Sequence, residues 1–234
     1  MPNRFYLATL PESGAAVLED LEAHHLIHVL RASPGDIVEL FNGTGLVASA
    51  QITSLHKRDA KLQILGSHRE EPSPRQIIVA TAVPKGDRFD WLIEKATELG
   101  VTRVIPLRTA RSVVDPRESK LEKQRQTVIA ACKQSGRNHL LELSPTIAWS
   151  DFAQRELGQG ASYIAHPGPT ARPVSSSLWQ GKASIVFAIG PEGGFTEEEV
   201  EIAVGRGAVP LSLGPRILRI ETAVLALAAC AEAC

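Results

Sequence analysis

The 234-residue chain sets 25 Lys+Arg against 26 Asp+Glu, a formal net charge of −1, and its 44% hydrophobic content supports one large packed core or two small ones. No apolar run reaches the roughly 18 residues of a membrane span, since the Ala-rich C-terminal stretch is short and carries Glu232; Pro2, Asn3 and Arg4 lead into no apolar signal core, so neither membrane insertion nor export is expected. Cys132, Cys230 and Cys234 are odd in number and lack CxxC spacing, which suits free thiols in a reducing cytoplasm; on a helix Cys230 and Cys234 stand i, i+4, read as a metal pair or as buried structural thiols.

The chain opens on a short strand, Arg4 to Leu7, and a helix from about Glu19 to Ala32 in which Leu21, His25, His28 and Val29 recur near helical spacing. His24 and His28 make an HxxxH pair with no Glu after the first His and no third ligand nearby, so no metal is expected. Gly35 and Asp36 turn the chain into Ile37–Phe41, Asn42–Gly45 is a tight turn into Leu46–Ile52, and Arg58 and Asp59 turn into Lys61–Leu65. Short strands joined by tight turns suit a small barrel. Glu70, Glu71, Pro72, Ser73 and Pro74 read as a linker, dividing residues 1–71 from 75–234.

Beyond the linker the period changes. Ile77–Val83 is a continuous apolar run, the mark of a strand covered on both faces. Asp87 is placed to cap a helix whose stripe is Phe89, Leu92, Ile93, Ala96 and Leu99, with Gly100 as its stop. Val101–Leu107 is the next strand, followed by a basic loop with Arg108 and Arg111 and a helix from about Lys120 to Lys133. Strands at Tyr163–Ala165, Ile185–Ile189 and Val209–Leu213 continue the alternation, which predicts an α/β domain with a mainly parallel sheet. The stretch from Lys85 to Arg137 holds 12 Lys+Arg against 7 Asp+Glu, whereas residues 1–70 hold 6 against 8 and Glu142 to Glu201 hold 3 against 8. Such a surplus supplies phosphate contacts on a neutral protein, or it is a scatter of solvated helix charges.

The last two strands each end in a glycine loop that leads to a helix, the arrangement in which open α/β sheets bind ligands. In the first loop Gly190, Gly193 and Gly194 permit close backbone approach, Pro191 stiffens the turn and Glu192 is the only charge; Thr196 and Glu199 then form a capping box with Glu197 and Glu198 in the first turn. A helix entrance with three carboxylates is a poor phosphate cradle, and neither GxGxxG nor GxxxxGK[ST] occurs. In the second loop Gly214 and Pro215 precede Arg216 and Arg219, with Glu221 and Thr222 at the mouth of an apolar helix. Taken alone, these are also compatible with two ordinary strand-to-helix turns.

The wording is more specific. GPEGGFTEEE followed by LGPRILRIETA closely resembles the paired signature of the SPOUT-class 16S rRNA (uracil-N3) methyltransferases. HHLIHVLR with GD and ELFNGTG resembles the start of that family's PUA-like domain, with Arg31 at a recurrent arginine; PKGDRFDWLIEKATELGV, RSV at Arg111 to Val113 and CKQSGRN at Cys132 to Asn138 match further blocks. Lys133 stands where the family pattern has an acidic residue and Ile220 where a smaller or hydroxylated one is usual. The resemblance covers nearly the whole chain. It implies an RNA-binding PUA-like β-barrel over 1–71 and a SPOUT (α/β knot) methyltransferase domain over 75–234, whose last segment is tucked through a trefoil knot. It further implies a homodimer, S-adenosylmethionine as cofactor, and N3 of a specific uridine in 16S rRNA of the small ribosomal subunit as the target. Two alternatives stay open: a SPOUT enzyme methylating a ribose 2′-oxygen of RNA, and a non-catalytic RNA-binding ribosome-assembly factor.

On that resemblance the cofactor is expected at Ala165, His166 and Pro167, at Ile189, Gly190, Pro191, Glu192, Gly193 and Gly194, and at Leu213, Gly214, Ile217 and Leu218; His166 is a base or a structural edge of the pocket. Uracil N3 carries a weakly acidic proton that an arginine cannot remove. Arg219 and Arg216 are therefore expected to stabilise charge on the uracil carbonyls, and Glu221 to be the base or to orient Arg219. Arg4, Arg31, Lys85, Arg88, Arg111 and Arg137 are the expected RNA contacts. The helix from Thr222 to Cys234 has almost no polar face and is expected to be buried nearly all round, in the core or in a dimer interface.

Overall fold

The computed structural model describes residues 3–114 and 121–233. The expected helix start at Lys120 and Cys234 of the cysteine pair lie outside the described residues. By its contacts the chain divides into two units, one holding residues up to Pro72 with Ile129–Leu140, the other Ser73–Val128 with the residues from Leu141 on.

The first unit is built on a five-stranded sheet from β1 (Arg4–Tyr6), β2 (Ala15–Glu19), β3 (Ile37–Phe41), β4 (Leu46–Leu55) and β5 (Asp59–Arg69), in the order β1-β3-β4-β5-β2. Only β1–β3 is parallel. Period-two alternation drives the sheet: Ala60, Leu62 and Ile64 are buried between exposed Lys61 and Gln63, and they join Phe5, Leu18, Val38, Leu40 and Ile52 in one core. Register shifts between Ser49 and Ala50 and between Ile52 and Ser54 bend β4 against β5. The β3–β4 turn is fixed by Asn42, whose Oδ1 accepts from the amides of Thr44 (2.9 Å) and Leu46 (3.1 Å).

The helix expected over 19–32 is different. Its first residue, Glu19, ends β2, a strand that the pattern did not reveal, and α1 (Asp20–His24) runs into a π-helical turn at His25–Val29. The wider turn changes the buried face, so Ala23 and Leu26 point inward while Leu21 and Val29 are 69% and 60% exposed. Arg31 follows in the left-handed region at φ 51°.

Arg4, on the edge strand β1, is 8% exposed. Its Nε donates to Glu39 at 2.5 Å, Nη1 donates to the Cys132 carbonyl at 2.8 Å, Nη2 donates to Asn138 Oδ1, and the guanidinium lies 4.8 Å from the Phe41 ring centroid. Asn138 Nδ2 in turn donates to Glu70 at 2.7 Å. Lys133, where an acidic residue was expected, donates to both oxygens of Glu22 (2.8 and 3.0 Å) and stands 5.1 Å from the Phe5 ring centroid. Burial lowers the His25 pKa below its usual 6.5, the nearby Lys133 charge lowers it further, and Glu22 opposes both.

The second unit carries β6 (Gln76–Ala82), β7 (Arg103–Arg108), β8 (Glu142–Leu143), β9 (Ile147–Ala148), β10 (Ala161–Ala165), β11 (Arg172–Pro173), β12 (Ser184–Ile189) and β13 (Val209–Ser212). Their order is β11-β13-β10-β12-β6-β7-β8, with β9 also on β7, and every pairing is parallel. The helices are α2 (Arg88–Glu98), α3 (Leu121–Ser135), α4 (Trp149–Arg155), α5 (Glu197–Gly205) and α6 (Ile220–Glu232). Ile78, Ala80, Val186 and Ala188 pack with Trp149 and Phe152 of α4, while the alternating Ile77, Val79, Ile185 and Phe187 are equally buried on the face where α6 lies against β6 and β12. The last seven residues of α3 group with the first unit rather than the second. Asp87 precedes α2 as expected, but its side chain makes no capping hydrogen bond. Among the described residues no helix is long and apolar enough to cross a membrane.

Candidate functional site

Three neighbouring strands end level with one another: Ala165 of β10 pairs with Ile189 of β12 on one side and with Leu211 of β13 on the other. The loops that leave these ends therefore rise side by side, and between them lies a cleft of about 290 Å³. All the residues assigned to a cofactor line it: Ala165, His166 and Pro167; Ile189, Gly190, Pro191, Glu192, Gly193 and Gly194; and Leu213, Gly214, Ile217 and Leu218. The His166 amide donates to the Leu211 carbonyl at 3.1 Å, so this residue still belongs to the sheet edge.

The first loop needs its glycines. A Cβ on Gly190 would stand 3.0 Å from the Phe195 ring, and Gly194 has φ 69°. Phe195 is buried and packs against Trp149, the ring centroids 4.7 Å apart and the rings tilted by 46°, giving the loop an aromatic floor. The expected capping box is present: Glu199 N donates to Thr196 Oγ1, and Thr196 N donates to Glu199 Oε2. Its N-terminal amides are thus partly satisfied internally, and its carboxylates repel phosphate.

The catalytic trio separates. Arg216 lines the cleft, whereas Arg219 is the exposed N-cap residue of α6 and does not line it. Glu221 is 6% exposed, and the expectation that it orients Arg219 is corrected: its ion-pair partner is Arg88, with Oε1 to Nη1 at 3.6 Å, and its Oε2 is buried with no hydrogen-bond partner. Arg88 also stands 3.7 Å from Glu192 and donates to the Lys85 carbonyl at 3.1 Å.

The expected RNA contacts divide likewise. Arg31 and Lys85 are exposed and Arg137 is half-buried. Arg4 is corrected to a structural residue, because burial and its acceptors leave no face for a phosphate. Arg88 stands within 3.7 Å of two carboxylates, and Arg111 donates to loop carbonyls at the cleft, so both side chains have partners within the chain. Arg111, Phe195, Leu211, Arg216, Ile220 and Ala223 line the cleft beyond the residues assigned to the cofactor. Phe195 follows the GPEGG run directly, a usable signal; Ala223 has none.

α6 is open on one side. Ile220, Val224, Leu227, Ala228 and Ala231 are buried, but Thr222, Ala229 and Cys230 are exposed and Leu225 and Ala226 half-buried, so burial all round does not hold within one chain.

Residues 71–232 match the family model of the RNA methyltransferase domain, and residues 18–65 match that of the RNA methyltransferase PUA domain. Ribosomal RNA small subunit methyltransferase E of Bacillus subtilis is 35% identical over 216 residues, covering 87% of this chain and 84% of the relative. Two solved structures are similar throughout. One is a ribosomal RNA small subunit methyltransferase E of Neisseria gonorrhoeae bound to S-adenosylmethionine (TM-score 0.88, 35% identity, 98% of this chain and 95% of that one). The other is a methyltransferase of Legionella pneumophila in complex with the same cofactor (TM-score 0.89, 30% identity, 100% and 98%). With its parallel sheet, its three level loops and its PUA-type first unit, the chain belongs to the ribosomal RNA small subunit methyltransferase E family of RNA methyltransferases.

Proposed function

We propose that this protein is an S-adenosylmethionine-dependent rRNA methyltransferase that methylates N3 of a uridine in 16S rRNA of the small ribosomal subunit. The observation that carries the reading is the cleft formed by three glycine- and proline-bearing loops on level strand ends. Its walls are mostly backbone and apolar side chains with Arg111, His166 and Arg216 among them, Glu192 is the only carboxylate among the described lining residues, and Ile217 is 96% exposed, an apolar chain left for a ligand to cover. The apolar and backbone surface suits adenosine, and the three carboxylates in the first turn of α5 argue against a polyphosphate at the first loop. When bound, the cofactor supplies an electrophilic methyl group on sulfonium.

The chain's own residues position and polarise the acceptor. The backbone of Ile189, Gly190, Leu213, Gly214, Ile217 and Leu218 holds adenosine. Arg216 at the cleft and Arg219 at the entrance to α6 stabilise charge on the uracil carbonyls as N3 loses its proton. Glu221 acts through Arg88. Arg31, Lys85 and Arg137 hold phosphates. The open face of α6 is read as a homodimer contact, and the enzyme as cytoplasmic. Nucleoside mass spectrometry of 16S rRNA from cells lacking the protein tests the reading: N3-methyluridine is lost and is restored by the wild-type chain but not by Arg219→Ala. Retention of N3-methyluridine in those cells refutes it.

A further inference from the structure

We propose that Arg111 is a positioning residue for the glycine loop of the cleft, a role that rests on the methyl-donor reading above. Its Nη1 donates to the carbonyls of Gly193 at 2.6 Å and Phe195 at 3.3 Å. The aliphatic part of the same side chain covers the loop, since a Cβ on Gly193 would stand 3.4 Å from Arg111 Cδ. The neighbouring residue fixes the far end of the segment: the Ala110 amide donates to Glu199 Oε1 at 2.8 Å, while Glu199 Oε2 accepts from Thr196 at 2.9 Å. Residues 110 and 111 thus hold Gly193 to Glu199 at both ends, from an element that the sequence places 82 residues earlier.

Phe195 is anchored on Trp149 and Glu192 stands 3.7 Å from Arg88, so what Arg111 orders is the glycine pair between them. Gly193 and Gly194 lose more conformational freedom on ordering than any other pair of residues, and the internal restraint is one turn bond, Gly194 N to Pro191 O at 2.8 Å. Both bonds leave one nitrogen of a cationic group, so they are charge-assisted and tie the two carbonyls to a single donor. With Arg111 present the loop is already ordered before a ligand arrives; without it, the ordering is charged to binding. Because Glu199 still anchors α5, the loss remains local to the loop.

The test is S-adenosylmethionine binding by calorimetry without RNA, for wild type, Arg111→Ala and Arg111→Lys. Loss of one charge-assisted contact predicts roughly tenfold weaker binding for Arg111→Ala. Arg111→Lys recovers part of it, because the ammonium is also a single cationic donor but sits on a stem one atom shorter than that of Nη1. The melting temperature stays within about 2 °C, as for a local change. Hydrogen exchange at the Gly194 amide of the ligand-free protein gives an independent readout and accelerates in Arg111→Ala. Unchanged cofactor affinity with weakened RNA binding overturns the proposal and makes Arg111 a phosphate contact. A wild-type protein that takes up no cofactor sinks the methyl-donor reading itself, a result distinct from loss confined to the variants.

Discussion

Replacing Arg4 by Met keeps its apolar stem and removes its charge. The exchange strips a 2.5 Å bond from Glu39, a 2.8 Å bond from the Cys132 carbonyl and the donor to Asn138 Oδ1, and it leaves the last two as acceptors in a site where Arg4 was 8% exposed. Breaking a buried charge pair costs about 3–5 kcal/mol. The Glu39 side chain is 31% exposed and regains water, which puts the expected loss near the lower end, ~3 kcal/mol. Trp91, Trp149 and Trp179 all belong to the second unit, so tryptophan fluorescence is insensitive to this loss. Native-state hydrogen exchange at the β3 and β4 amides reads the first unit directly. A loss under about 0.5 kcal/mol, the size of a surface substitution, combined with weakened RNA binding would refute the structural role.

Arg88→Met leaves Glu221 as a buried carboxylate without its cation; with Arg88 itself 35% exposed and the pair 3.6 Å apart, the expected loss is about 1–2 kcal/mol, and adding Glu221→Gln restores most of it in urea unfolding. His25 has a pKa below its usual 6.5, so the unfolded chain binds a proton first; the stabilisation is complete above 6.5 and is lost as pH falls from there through the lowered folded value. His25→Gln should flatten the stability of the first unit between pH 7 and 5, and identical slopes by hydrogen exchange would exclude this. Ala229→Arg places a charge on the open face of α6 and should convert a dimer to a monomer in sedimentation while raising the enzyme concentration needed for activity.

The glycine loop after β12 was legible because its information is local, an apolar run, glycines, a proline and a capping residue within about a dozen consecutive positions; that pattern alone also fitted an ordinary turn, and the cofactor residues followed from the family resemblance. The arginines were not. Arg4 finds Asn138 134 positions away and Arg111 finds Gly193 82 positions away, and a charge count cannot tell a guanidinium bonded within the chain from a solvated phosphate contact. Helical spacing misread residues 19–32 because a π turn departs from the 3.6 period on which the count rests. The strand Ala15–Glu19 stayed hidden because Val17 breaks the alternation, being apolar yet 39% exposed. For α6, composition indicated an apolar helix but not which side meets its own chain.

The return of Ile129–Leu140 to the first unit also bears on biosynthesis. Translation delivers Arg4 and its strand long before Cys132 and Asn138 exist, so a nascent chain stopped at Pro72 holds a buried cation with two of its acceptors still unmade. The N-terminal unit should accordingly resist proteolysis only on ribosome-bound chains long enough to expose Leu140, and equal resistance in shorter ones would contradict this. The first part of the protein to be made is then completed only after the second has begun.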